Sequence, residues 1–240
     1  MQRVPVFLIN LDRSRERLER MAYRLDHVGL EWTRIPAIDG AEALRAGCPD
    51  YDPAGAIRAG GRALRPGEVG CYLSHLEAAR QVAAGGCTWG LVLEDDANLP
   101  ADMALRLDAL IGDLPDTVDL VNLSRRPRHR ISPLSPRIGL VQAHYFPVTT
   151  TALLWRADAA RAFCTAGRPI RLPVDLFLQE FMTQSGRGAA YLLPPVPPDD
   201  SQSVIYTGRR SGGVPHRARY HLKRLARLLR NRWNMIRTSA

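Results

Sequence analysis

Trp89-Gly90-Leu91-Val92-Leu93-Glu94-Asp95-Asp96 reads as a buried strand that ends in three consecutive carboxylates. Like charges at this spacing repel, and each costs free energy to take out of water. Such a cluster at the end of an apolar strand has two ordinary explanations: an acidic surface turn, or a site for a divalent cation. In open α/β sheets ligands bind at the carboxyl ends of the strands, which is where these side chains fall. Strand alternation sets Glu94 and Asp96 on one side and Asp95 on the other. Two carboxylates so spaced can share Mg²⁺ or Mn²⁺, which takes oxygen ligands and bridges to substrate phosphates. A general acid–base pair is the competing use of the same residues. Nothing nearby in the sequence supplies the apolar surroundings that would separate their pKa values.

Immediately upstream, Pro66 suits the first turn of a helix running through Cys71, Leu73, Leu76 and Val82, stopped by Gly85-Gly86. Gly67 and Gly70 bring backbone close to another group at the helix start, where N–H groups suit an anion. Ser74 and His75 lie about two turns further in. His75 is either a site residue or a satisfied, half-buried histidine, and Cys71 reads as a core thiol rather than a nucleophile. Further back, Val4–Leu11 reads as a buried first strand. A helix with Leu18, Met21 and Leu25 at helical spacing follows, capped by Asp12 or Ser14 and ended by Gly29. Glu31–Ile38 reads as a second strand closing on Asp39-Gly40, where Asp39 is either a turn former or a ligand. Residues 41–65, rich in Gly and Pro, predict irregular structure.

Downstream, the pattern predicts a helix near 101–112, a strand at Asp119–Leu123 and a basic turn at Arg125–Arg130. The turn is either solvated or meets an anionic acceptor. Strands near 138–146 and 149–155, helices at Ala157–Ala166 and Pro173–Gln184, and a short strand at Tyr191–Leu193 complete the body. Asp175 stands at the start of the second of these helices, a cap or a site residue. The alternation of strands and helices predicts an α/β sheet with helical crossovers.

The 240 residues carry a net charge of +9, and its location matters more than its size. From Thr207 onward there are ten basic residues and no acid, which leaves 23 basic against 24 acidic residues in positions 1–206. The sequence therefore divides into a near-neutral body, 1–206, and a basic tail, 207–240. Leu222, Leu225, Leu229, Trp233 and Ile236 recur at helical steps among eight cations in residues 216–237. That describes a basic amphipathic helix, either docked on the body or bound to an anionic membrane surface. The neutral body and the lack of aromatic platforms argue against a nucleic-acid partner. Cys48, Cys71, Cys87 and Cys164 form no Cys-x-x-Cys pair and no disulfide scaffold, which suits a reducing cytoplasm. The short Val4–Ile9 run predicts a strand rather than a signal peptide, and no stretch is long enough to span a membrane. One Lys against 32 Arg points to a GC-rich bacterial genome.

Taken together, these patches resemble a known family. Val6-Phe7-Leu8-Ile9-Asn10-Leu11-Asp12-Arg13-Ser14-Arg15-Glu16-Arg17 is similar to the start of glycosyltransferase family 25, the lipopolysaccharide and lipooligosaccharide glycosyltransferases. Ala37-Ile38-Asp39-Gly40, Gly67-Glu68-Val69-Gly70-Cys71-Tyr72-Leu73-Ser74-His75 and Leu93-Glu94-Asp95-Asp96 match its further motifs in order. Weaker matches run through Thr149–Ala152, Val174-Asp175 and Ser201–Ile205.

The resemblance implies a GT-A-like nucleotide-sugar-binding fold, with a mixed, mostly parallel sheet flanked by helices. It implies inverting transfer from a UDP-sugar, most often UDP-galactose, to a hydroxyl of an envelope glycan or glycolipid. Glu94-Asp95-Asp96 stands at the Asp-x-Asp position of such enzymes, with Asp96 and Glu94 expected to hold Mn²⁺ or Mg²⁺. Asn10, Leu11, Arg17, Asp39, Gly40, Glu68, Ser74, His75, Glu94 and Asp95 are expected around the nucleotide sugar. Asp175 is the expected general base beside catalytic Asp96. A late His ligand would have to come from His216 or His221, both in the tail. The tail would hold the enzyme at the cytoplasmic face of a bacterial inner membrane. A catalytically silent scaffold that binds UDP weakly or not at all, and a metal-dependent nucleotidyltransferase, are the alternatives.

Overall fold

The computed structural model describes residues 4–199 and 215–238. In chain order the elements are β1 (Val6–Asn10), α1 (Arg15–His27), β2 (Trp32–Pro36), α2 (Gly40–Arg45), α3 (Pro53–Gly60), α4 (Pro66–Ala84), β3 (Trp89–Glu94) and α5 (Met103–Asp113). There follow β4 (Leu120–Asn122), β5 (Ile131–Ser135), β6 (Leu140–Ala143), β7 (Ala152–Arg156), α6 (Ala157–Ala166), α7 (Val174–Ser185), β8 (Gly188–Tyr191) and α8 (Pro215–Thr238). Most of the expected strands and helices of the body are present with shifted ends; the strand expected at Tyr191–Leu193 lies instead at Gly188–Tyr191, and β5 has no counterpart in the expectation. Residues 41–65 are not irregular throughout, since they hold α2 and α3, each begun by an aspartate cap. Asp39 accepts from the N–H of Ala41 and Glu42, and Asp52 from that of Gly55. These caps satisfy N–H groups that a helix start leaves open.

One eight-stranded sheet has the order β2-β1-β3-β7-β4-β8-β6-β5. The expectation of a mostly parallel sheet is corrected. Three pairings are parallel (β1–β2, β1–β3, β4–β8) and four are antiparallel (β3–β7, β4–β7, β6–β8, β5–β6). The physical reason is β7, which enters the sheet between β3 and β4 in the opposite direction. Fully buried apolar strands read alike in either direction, because both faces are covered.

Both faces are indeed covered. On one, Val6, Leu8, Leu91 and Leu93 pack with Met21 and Leu25 of α1 and Met103, Leu107 and Leu110 of α5. On the other, Phe7, Ile9 and Val92 meet Val69, Tyr72, Leu76 and Val82 of α4, with α6 and α7 beyond. Each such side chain contributes roughly 1.5–3 kcal/mol on leaving water. α4 is buried on nearly every side, and at Gly90 a Cβ would come within 2.7 Å of Val82 Cγ2. The helix therefore lies directly on β3 and carries His75 to the strand's acidic end.

α8 packs on α7 and α3. The division at 206/207 and the weak match at Ser201–Ile205 lie outside the described residues. The helix docks by its polar face: Arg227 is 7% exposed, Asn231 is fully buried, and Arg230 pairs with Glu180 of α7 at 2.7 Å. Leu222, Leu225, Leu229, Trp233 and Ile236 face outward, with Trp233 67% exposed. Among the described residues no helix is long and apolar enough to cross a membrane.

Candidate active site at the carboxyl end of the central strands

β1, β2 and β3 are mutually parallel neighbours, so Asn10, Asp39 and Glu94 emerge on one edge of the sheet. The strand proper stops at Glu94, and Asp95 and Asp96 form the turn after it. Glu94 and Asp95 diverge to opposite faces, as alternation requires.

Glu94 turns toward α4. Its Oε1 accepts from His75 Nε2 at 2.9 Å and from Thr150 Oγ1 at 2.5 Å. His75 is 1% exposed, and a carboxylate acceptor fixes the proton on Nε2. Burial pushes the Glu94 carboxyl up, but His75, Thr150 and Arg17 outweigh it and hold the group below the usual range. Both bonds fall on Oε1, leaving Oε2 without a hydrogen bond among the described residues. Cys71, one turn before His75, brings its Sγ within 4.8 Å of the Glu94 and His75 ligand atoms. Burial, with Glu94 and Asp175 adding, pushes its thiol well up, so Cys71 is held as the neutral thiol expected of a packing residue.

Asp95 turns toward β1 and α1. Asn10 Nδ2 donates to it at 2.8 Å and Arg17 Nη1 at 3.1 Å. Asn10 is 1% exposed and also donates to the Ser14 carbonyl at 3.0 Å. These residues are thus brought together, but around Asp95 itself. Leu11 lies in the turn that follows β1, its carbonyl accepting from Ser14 N–H.

Asp96 differs from both neighbours. Its Oδ1 is buried and has no hydrogen-bond partner among the described residues. Burial, then the charges of Glu94 and Asp95, push its pKa up to about 7. An orphaned carboxylate oxygen beside two other carboxylates is the donor chemistry that suits a hard divalent cation. Asp96 and Glu94 offer oxygen donors of the kind that Mn²⁺ or Mg²⁺ takes.

The remaining expected residues are structurally engaged. Asp39 caps α2 and pairs with Arg13, which together hold its carboxyl below the usual range. Ser74 is buried, accepting from Ile38 N–H at 2.8 Å and donating to the Gly70 carbonyl at 2.7 Å. It fastens α4 to the Asp39 turn. Gly40 and Gly70 serve the same contact: a Cβ on Gly70 would meet Gly40 N at 2.7 Å, and one on Gly40 would meet Gly70 N at 2.6 Å. The close approach inferred for Gly70 is therefore made by the chain itself. Glu68 takes two bonds from Arg62 and one from Arg65 N–H, closing the start of α4. Asp175 sits in the first turn of α7, its carboxyl pushed up by burial and then by Glu68 and Glu94, against the Leu176 N–H bond. Thr150, which sequence reasoning noted only as part of a weak match, is a full member of the Glu94 cluster. Its signal was the polar run Thr149–Thr151 just before an apolar strand.

Comparison with known proteins decides the family. The model of "Glycosyltransferase family 25 (LPS biosynthesis protein)" matches residues 3–178, most of the chain. The chain belongs to glycosyltransferase family 25. Among similar proteins are the human "Inactive glycosyltransferase 25 family member 3", 34% identical over 184 residues, and the zebrafish (Danio rerio) "Procollagen galactosyltransferase 1", 32% identical over 189 residues. Each alignment covers 72% of this chain but only 31% and 30% of the relative, so the chain spans under a third of the length of these curated relatives. The family match spans Asn10 to Asp175, and His216 and His221 lie beyond it.

Proposed function

We propose that this family 25 member transfers a hexose, galactose by the names of its relatives, from a UDP-sugar to a glycan hydroxyl with inversion, assisted by Mn²⁺ or Mg²⁺. The observation that carries this reading is Asp96, the one member of the acidic triad whose buried oxygen has no partner among the described residues. Asp96 and Glu94 Oε2 would hold the cation, and His75 and Thr150 hold Glu94 in place for it. A bound divalent cation supplies positive charge against the diphosphate as UDP leaves. Asn10 and Arg17 fix Asp95 and with it the turn, and the ends of β1 and β2 frame the nucleotide. The acceptor oxygen bonds to the anomeric carbon as the bond to UDP breaks, and its proton passes to the Asp175 carboxylate, which burial makes a stronger base. An envelope glycan is the acceptor favoured by the family's description, with a protein acceptor as the rival suggested by the procollagen names. The outward apolar stripe of α8 and its cations support attachment to an anionic membrane surface, at the cytoplasmic face of a bacterial inner membrane.

A second reading has a specific observation behind it: relatives as similar as 34% are named inactive. A screen for UDP release across UDP-sugars, with and without Mn²⁺, separates the two. Metal-dependent release from UDP-galactose, abolished in Asp96→Asn, is the expected result. Failure to bind UDP supports a silent scaffold, and release of pyrophosphate identifies a nucleotidyltransferase.

A further inference from the structure

We propose that the loop following β4 is an anion subsite that receives a phosphate or carboxylate group carried by the acceptor. The inference rests on the glycosyltransferase reading and names the class of acceptor.

The topology puts this loop on the site's edge. β3 and β4 run parallel to each other on either side of β7. Glu94 N–H donates to the Thr151 carbonyl at 2.9 Å, and Leu123 N–H donates to the Ala152 carbonyl at 3.0 Å. The carboxyl ends of the two strands are therefore level, about 10 Å apart by two interstrand spacings. Ser124, Arg125 and Arg126 open onto the same edge as Glu94, Asp95 and Asp96. They do so on the side away from β1 and β2, whose ends frame the nucleotide. In that arrangement the β4 side falls to the acceptor.

The loop is held in shape. Asn122, fully buried, accepts at Oδ1 from the N–H of Ser124 and of Arg125, both at 2.9 Å, and donates from Nδ2 to the Thr149 carbonyl at 3.0 Å. Pro127 is buried, the His129 ring meets Tyr145 edge-on at 4.5 Å, and His144 N–H donates to the Arg130 carbonyl at 3.2 Å. Three exposed arginines, Arg125, Arg126 and Arg128, are thus carried on a fixed frame, and among the described residues none makes an ion pair. Elsewhere on this edge arginines are matched with acids, Arg13 with Asp39, Arg17 with Asp95 and Arg34 with Asp12. Next to the three lies Ser124, 3% exposed, whose Oγ has no hydrogen-bond partner among the described residues. A buried hydroxyl without a partner is costly, and three exposed guanidinium groups held close together repel one another weakly through water. A phosphate or carboxylate relieves both, offering several acceptor oxygens to guanidinium groups and the hydroxyl at once.

The test is calorimetric titration of the full chain with glucose 6-phosphate, with glucose, and separately with UDP plus Mn²⁺. The three-residue variant Arg125→Ser/Arg126→Ser/Arg128→Ser and Ser124→Ala are titrated alongside. The phosphosugar is expected to bind at least about tenfold more tightly than glucose, to weaken as salt rises, and to be displaced by inorganic phosphate. The arginine variant should abolish that preference and Ser124→Ala should reduce it, with UDP binding unchanged in both. No preference for the phosphosugar overturns the proposal. Loss of UDP binding in the arginine variant also overturns it, by assigning the loop to the donor diphosphate. UDP release from UDP-galactose by the unmodified chain judges the glycosyltransferase reading separately.

Discussion

Asp96 is under two opposed demands, and both can be measured. As a ligand it must be ionised, yet burial and two neighbouring carboxylates disfavour its charge. An unfolded aspartate releases its proton near 3.8, and this one does so at about 7 in the folded chain. Between those values the folded state holds the extra proton, so stability falls as pH rises from about 4 to 7. Asp96→Asn removes that cost. Without metal, the variant is expected to melt higher than the parent at pH 8, with the difference shrinking toward pH 4, by circular dichroism. The same substitution should lower metal-dependent UDP release by about a hundredfold or more. A variant less stable at pH 8 would refute the account of Asp96, since an aspartate that gains nothing by losing its charge is not electrostatically strained. This residue was legible in the sequence because three carboxylates ending an apolar strand are rare. Glu94's fixation by Thr150 was not, because their contact joins positions 56 residues apart.

At the scale of elements, α4 and α8 show how the same local signal can serve different ends. The glycine at the start of α4 signalled close approach, and close approach is what the structure has, but to the Asp39–Gly40 turn rather than to an anion. Gly70→Ala should therefore cost about 1–3 kcal/mol of folding stability, as overpacking does against backbone that cannot yield. Chemical denaturation measures this, and an unchanged midpoint would mean that α2 and α4 are not in that contact. α8 presents the reverse case: the periodicity marks a helix, and the apolar stripe of α8 faces away from the body. Periodicity gives a face but not its direction, and here buried Arg227 and the Arg230–Glu180 pair set the direction. Leu229→Ser/Trp233→Ser is expected to leave the melting temperature within a few degrees, about the ±0.5 kcal/mol usual for surface changes. Binding to vesicles containing phosphatidylglycerol should fall at least about tenfold, because the apolar contacts go while the charge stays. Retained vesicle binding would assign any membrane contact to charge alone.

For the whole molecule, the direction of β7 is where the expectation of a mostly parallel sheet fails. Ala152–Arg156 is apolar and covered on both faces, so nothing in it distinguishes a parallel from an antiparallel neighbour. The consequence reaches the site: an antiparallel β7 starts, rather than ends, at the acidic edge, which is why Thr150 and Thr151 stand beside Glu94. A site assembled from the ends of β1, β3 and the start of β7, backed by α4 and α7, ties ligand binding to the global fold. Anything bound there in the folded state alone stabilises the chain by mass action. UDP and Mn²⁺ at about a hundred times their dissociation constant should add about 2.7 kcal/mol. For a chain of this size that corresponds to a rise in melting temperature of roughly 5–10 °C. The full rise should require both components in the parent, and Asp96→Asn should keep only the part that UDP gives without metal. A scaffold that binds no nucleotide would show no rise with either component.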